Sequence, residues 1–230
     1  MCGLHTIGFA LAFASTVIMA STPPATTIVA LGDSTTAGTP AFKSPIEAPP
    51  NGTGDEHSQF AYWLMQAHAD WNVLNRGVNG ERTDQIAARF DRDVLTNHPA
   101  VVIILAGVND VYQGRSVEFA EEQLRAMYDR ALAAKIPVVA CSIIPYNSAT
   151  PEQNAKMHAI NDWIRAQVAK DARMRFVDTR AATAKAGDLD HLSGSPDGLH
   201  PDVNGYRKMA EALEPALLDL LAVRRAATSR

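Results

Sequence analysis

Cysteine is nearly absent: Cys2 and Cys141 are the only two in 230 residues, too few for a disulfide framework. Basic charge is not in excess either. Lys plus Arg number 21 against 25 Asp plus Glu, a formal net charge of −4. A general nucleic-acid binder would carry a basic surplus, so that class of partner is excluded. Repeats, low-complexity tracts and blocks of like charge are missing, and no segment reaches the roughly 20 apolar residues that span a bilayer. What is present is ordinary for a globular chain: 47% apolar and 20% charged residues. Such a length fits one domain and can bury a full core without staples.

Charged residues are also absent from positions 1–25. The run Ile7 to Ala20 is apolar and rich in small residues, and Pro23 and Pro24 follow it. It is too short to cross a membrane but fits the apolar centre of a secretory signal, with cleavage after Ala20 or Ala25. Its front carries only His5 where such signals carry Lys or Arg. The expectation is a leader over 1–25, a single domain over 26–230, and a secreted or periplasmic protein with no stable membrane span. Cys141, inside the apolar run VVACSII, reads as a small buried filler.

Beyond the leader the chain alternates between short apolar strands and helices. Strands are predicted at Thr26–Leu31, Asn72–Asn75, Val101–Ala106, Ile136–Ile144 and Arg175–Asp178. Helices are predicted at Ser58–Ala69, 83–95, 116–134, from Thr150 to about Lys170, and at 202–222. Ile86, Phe90 and Val94 lie four apart and mark one helical face. Thr150-Pro151-Glu152-Gln153 is a capping box with proline at the first helical position. Residues 39–57 hold Pro40, Pro45, Pro49, Pro50 and Asn51-Gly52, an irregular loop long enough to be a functional insertion. Five strands separated by helices predict a parallel sheet covered on both faces, a three-layer α/β/α sandwich.

Ligands of open parallel sheets bind beyond the carboxyl ends of the strands. Gly32-Asp33-Ser34-Thr35 follows the first strand, Asn75 to Gly80 the second, and Gly107-Val108-Asn109-Asp110 the third. Asp197-Gly198-Leu199-His200-Pro201 lies just before the last helix. Together they supply a hydroxyl, an imidazole, a carboxylate, glycine amides and a side-chain amide, the parts needed for acyl transfer through serine. Serine is a weak nucleophile until a base takes its proton, and His200 is the candidate base. Asp197, three residues earlier, can reach the other ring nitrogen within one turn and fix the tautomer. The oxyanion needs donors, for which Ser34 N–H, Gly80 N–H and the Asn109 amide are candidates.

These four segments resemble the conserved blocks of the SGNH hydrolases, also called GDSL esterases and lipases. In the resemblance Ser34 matches the nucleophile, Gly80 the oxyanion glycine, Asn109 the oxyanion asparagine, and Asp197 and His200 the rest of the triad. Gly77 is the alternative to Gly80; the match runs five residues from Asn75, which favours Gly80. Thr35 departs from the family's commonest leucine, at a position that is not a catalytic group. The resemblance spans 32–201. It implies a flavodoxin-like sheet of about five strands, a small-molecule, glycan or lipid ester as substrate, and neither cofactor nor metal.

Blander readings stand beside these. Ser34 alone would more often cap a helix, Asn109 could close a turn, and Gly80 could serve only a positive φ. Asp33 and Asp110 read as loop-holding residues. His57, His68, His98, His158 and His191 read as solvated or satisfied, and Asp188, Asp190 and His191 offer too few ligands for a metal. Phe60, Tyr62, Trp63 and Met65 read as core. Tyr112, Gln113 and Arg115 could line a pocket or an exposed helix approach. Two other functions compete. A flavin- or phosphate-binding module would use Gly32–Gly38 as a cradle, but that segment lacks both glycine-rich phosphate patterns. An α/β-hydrolase elbow, G-x-S-x-G, would need glycine where Thr36 stands.

Overall fold

A computed structural model describes residues 26–228. The leader assigned to 1–25 lies outside the described residues. The chain runs β1 (Thr26–Gly32), α1 (Ser34–Ala37), a small hairpin of β2 (Phe42–Lys43) and β3 (Thr53–Gly54), α2 (Phe60–Ala67) and β4 (Trp71–Gly77). It continues through α3 (Thr83–Ala88), α4 (Phe90–Asp93), β5 (Val101–Leu105), α5 (Val108–Tyr112), α6 (Val117–Ala133), β6 (Val138–Cys141) and α7 (Pro151–Val168). Then come β7 (Met174–Val177), α8 (Thr179–Thr183), a second hairpin of β8 (Ala184–Lys185) and β9 (Asp188–Leu192), and α9 (Val203–Thr228).

Five strands pair in parallel in the order β4-β1-β5-β6-β7. This is the flavodoxin-like order of a doubly wound sheet. Alternate residues of each strand feed two separate cores. Val29, Leu31, Val102, Ile104, Val138 and Ala140 pack with α3, α6 and α7. Ile28, Ala30, Ile103, Leu105, Val139 and Cys141 pack with α2 and α9. Burial on both faces is why β5 is apolar at every position rather than at alternate ones. Cys141 is free and buried, and burial pushes its thiol far above the usual range. No helix among the described residues is long and apolar enough to cross a membrane.

Most boundaries follow the sequence, and the Thr150 capping box forms as expected. The helix expected over 83–95 does not run through. Ile86, Phe90 and Val94 are all fully buried, so the face is right, but the helix breaks at Arg89, whose φ and ψ are −100° and 8°. Arg89 turns inward and donates to Gly32 O and Arg76 O, both at 2.8 Å, while pairing with Asp93 and Glu81. Four partners for one buried guanidinium outweigh continuity of a helix.

The sheet puts the site at its switch point. The chain leaves β1 over the α2 face and leaves β5 over the α6 face, so a crevice opens between their carboxyl ends. Glycine is required where α1 presses on that crevice. A Cβ on Gly32 would lie 2.3 Å from Leu105 O, and one on Gly77 2.1 Å from Ala37 N.

Candidate active site

Ser34 is the first residue of α1 and is nearly buried. It is not the cap: Asp33 is, accepting the Thr35 N–H at 3.0 Å. That leaves the Ser34 hydroxyl free to meet a residue 166 positions away. His200 Nε2 lies 2.9 Å from Ser34 Oγ, and His200 Nδ1 lies 2.7 Å from Asp197 Oδ2. The arrangement fits one tautomer, with Nδ1–H donating to Asp197 and Ser34 Oγ–H donating to Nε2.

The turn that presents Asp197 and His200 is held from several sides. Asp197 Oδ1 accepts the Leu199 and His200 N–H groups, each at 2.9 Å. Ser195 Oγ donates to His200 O at 2.7 Å and accepts from Gly198 N–H. Gly198 takes φ +77°, which glycine adopts without strain, and its carbonyl accepts Asn147 N–H at 2.7 Å. Burial works to raise the Asp197 carboxyl. Hydrogen bonds from His200 and from the Leu199 and His200 amides outweigh it, and the group is held below the ordinary carboxylate range.

The segment after β4 forms the opposite wall. Asn75 Nδ2 donates to Ala37 O and Gln59 Oε1, and Asn75 Oδ1 accepts the Gly77 N–H at 3.0 Å. Gly77 therefore has its amide committed. Gly80, at φ +76°, has no partner for its N–H among the described residues. Its carbonyl is fixed by Gln113 Nε2 at 3.1 Å, and its neighbour Asn79 donates its N–H to Glu47 Oε1 at 3.0 Å. Glu47 belongs to the 39–57 loop, so that insertion braces the wall. Asn109 stands in α5, and its Nδ2 donates one hydrogen to Glu81 O at 3.0 Å, which orients the amide and leaves its second hydrogen.

A hollow of about 120 Å³ opens in front of these groups. Ser34, His200, Asn109 and Asn79 supply its chemistry; Thr35, Val108, Tyr112, Tyr146 and Leu199 supply the rest of the wall. Asn79, rather than Gly80 itself, reaches the wall from the second segment. Of the three residues weighed after Asn109, Tyr112 faces the hollow, Gln113 holds Gly80, and Arg115 stacks on Phe119. Tyr146 carries no sequence motif, and only packing brings it here.

The remaining candidates are placed elsewhere. Asp110 accepts both Thr83 N–H and Thr83 Oγ1–H, tying α5 to α3. Asp188 pairs with His191, and Asp190 with Arg180 and His158. His57 pairs with Asp55, and His68 with Glu214. Phe60 is core, whereas Tyr62, Trp63 and Met65 are only half-buried.

Asp33, the residue before Ser34, is a buried carboxyl. Burial raises it from the ordinary 3.8 to about 7, with Asp110 adding and Thr35 and Arg89 opposing. Its folded pKa lies above its unfolded one, so the folded state holds the extra proton between those values. Its contribution to stability is greatest below that window and is lost as pH rises through about 7. Asp33→Asn keeps a capping oxygen and removes the titration. Urea midpoints at about pH 5 and about pH 9 should therefore fall less for the variant than for the parent, a difference on the order of a few kcal/mol. Equal falls in the two proteins would sink this reading.

Comparison with known proteins shows the family and the fold. Residues 30–208 match the model of the GDSL-like Lipase/Acylhydrolase family. An acetylxylan esterase from Geobacillus stearothermophilus is 28% identical over 151 residues, 61% of this chain and 69% of that protein. A solved lipolytic protein of the G-D-S-L family from Desulfitobacterium hafniense superposes with a TM-score of 0.67 at 26% identity, covering 83% of this chain and 98% of that one. A GDSL-like lipase from Bacteroides thetaiotaomicron gives 0.67 at 23% identity, over 84% of this chain and 88% of that one, a likeness of fold.

Proposed function

Because the chain belongs to the GDSL-like Lipase/Acylhydrolase family and is thereby a carboxylic ester hydrolase, we propose that it works through an acyl-enzyme on Ser34. His200 Nε2 takes the proton as Ser34 Oγ bonds to the ester carbonyl carbon. Asp197 holds the ring and stabilises the imidazolium. The tetrahedral oxyanion is received by Ser34 N–H, Gly80 N–H and the second hydrogen of Asn109 Nδ2. The bond to the alcohol oxygen breaks, and His200 returns its proton to that leaving group. Water then enters and attacks the acyl carbon while His200 takes one of its protons; the Ser34 Oγ–acyl bond breaks, His200 returns that proton to Ser34 Oγ, and the acid leaves. The observation that carries this reading is the 2.9 Å contact between Ser34 Oγ and His200 Nε2. A flavin- or phosphate-binding module would leave that contact, Asp197 and Asn109 without a task.

The acyl group is short, on the support of a hollow of only about 120 Å³ bounded by Tyr112, Tyr146 and Leu199. Sugar acetates head the substrate list because of the acetylxylan esterase likeness. Residues 26–230 act as a single catalytic domain, exported behind the leader at 1–25.

A fluorophosphonate should label the protein once, at Ser34, and a panel of p-nitrophenyl esters from acetate to palmitate should show activity concentrated at acetate. A mass spectrum placing the label elsewhere would end the proposal. Asn109→Ala should lower kcat by about 10²–10³-fold, the usual cost of one oxyanion donor, with KM little changed. The melting temperature should stay within a few degrees, since only the bond to Glu81 O is lost. A loss confined to KM would assign Asn109 to substrate binding instead.

A further inference from the structure

Tyr146 stands just past β6 and is only 2% exposed, yet its hydroxyl makes no hydrogen bond among the described residues. Leaving a buried hydroxyl unpaired is costly, and such groups call for an explanation. Other buried tyrosines divide: Tyr206 donates to Thr39 O at 2.7 Å, whereas the hydroxyl of the core residue Tyr128 is also without a partner among the described residues. Tyr146 differs in its place. It forms part of the wall of the hollow that holds Ser34 and His200. The ring is fixed there, meeting Tyr112 edge-on at 5.8 Å. The next residue, Asn147, donates its N–H to Gly198 O and accepts Leu192 N–H, which ties this segment to the turn bearing Asp197 and His200. Tyr112 is 56% exposed and can use water.

We propose that Tyr146 is a specificity-determining residue whose hydroxyl donates to an oxygen that the substrate carries beside the scissile ester, so that the site selects oxygen-bearing esters over plain alkyl esters. The inference rests on the acyl-enzyme reading of Ser34. Sites built to hydrogen-bond a substrate oxygen reject the analogue that lacks it, because their own polar group is then stranded. Hydrophobic walls cannot achieve the same discrimination.

Three esters of one ring size test this: cyclohexyl acetate, the monoacetate of trans-1,2-cyclohexanediol, and cyclohexyl glycolate. The second places the extra oxygen on the alcohol side and the third on the acyl side. Tyr146→Phe should cut kcat/KM for at least one oxygen-bearing ester by about tenfold or more beyond any loss on cyclohexyl acetate. Whichever ester responds identifies the side of the reacting bond that Tyr146 reads. The fold should hold, because only an unpaired hydroxyl is removed; melting curves check it. Equal losses on all three esters, or none, would overturn the assignment, as would a labelled wild-type protein that cleaves neither oxygen-bearing ester. Fluorophosphonate labelling of both proteins separates the two claims. Labelling at Ser34 with unchanged ester ratios removes Tyr146 alone, whereas no labelling removes the acyl-enzyme and Tyr146 with it.

Discussion

Ser34→Ala should lower ester turnover by about a millionfold, to the residue that oxyanion donors and binding sustain without a nucleophile. The reasoning separates chemistry from fold. The Ser34 carbonyl accepts Gly38 N–H and Thr39 N–H, and the helix start is capped by Asp33. None of these uses the Ser34 hydroxyl. Alanine is also the best helix former, so α1 should stand. What disappears is the one oxygen placed 2.9 Å from His200 Nε2. Fluorophosphonate labelling should vanish with the activity, while the melting temperature stays near that of the parent. A double variant with His200→Ala should be scarcely slower than Ser34→Ala, because the two residues act as a unit. Hydrolysis of p-nitrophenyl acetate by Ser34→Ala within about tenfold of the parent would show that the nucleophile lies elsewhere.

Much of this architecture was open to reading from residue order because its causes are local. Five apolar runs bounded by turns specify strands, and β1 and β5 are apolar on both faces because helices cover both. The Thr150 box and the glycines at 32, 38 and 107 mark where elements start and stop. The four polar segments were legible because each sits at a strand end or a helix start. What periodicity could not show depends on partners distant in the chain. Ile86, Phe90 and Val94 carry a helical rhythm, yet Arg89 breaks the helix to reach Gly32 O and Arg76 O. The 39–57 loop looks unstructured in sequence. In the fold Ser44 Oγ donates to Gly77 O and Glu47 accepts from Asn79, so the loop braces the segment after β4. Tyr146 follows Pro145 and belongs to no motif; its position in the hollow is set by where β6 ends beside β5. The sequence match already favours Gly80 over Gly77; the coordinates add that the Gly77 amide is used by Asn75.

The second large effect concerns a residue that never touches the ester. Asp197→Asn should lower kcat by about 10⁴-fold, the loss seen when a triad histidine is held in the wrong tautomer. Asp197 has two oxygens with two tasks. Oδ1 receives the Leu199 and His200 amides, and Oδ2 receives His200 Nδ1–H at 2.7 Å. An asparagine that keeps its oxygen on the two amides must turn its NH₂ toward Nδ1. Nδ1 then has to accept, the ring proton moves to Nε2, and Nε2–H faces Ser34 Oγ as a donor instead of a base. The opposite flip restores the tautomer but aims the NH₂ at two backbone donors, which breaks the turn. Either way the base is lost, although Ser34, Asn109 and the hollow are untouched. Labelling by the fluorophosphonate should slow in step with kcat, because both need Ser34 Oγ deprotonated. Substrate affinity, measured as the inhibition constant of a non-hydrolysable amide analogue, should barely change. Asp197 is a positioning residue in this account, and a variant that loses affinity while keeping its labelling rate would show that the carboxylate binds substrate rather than orienting His200.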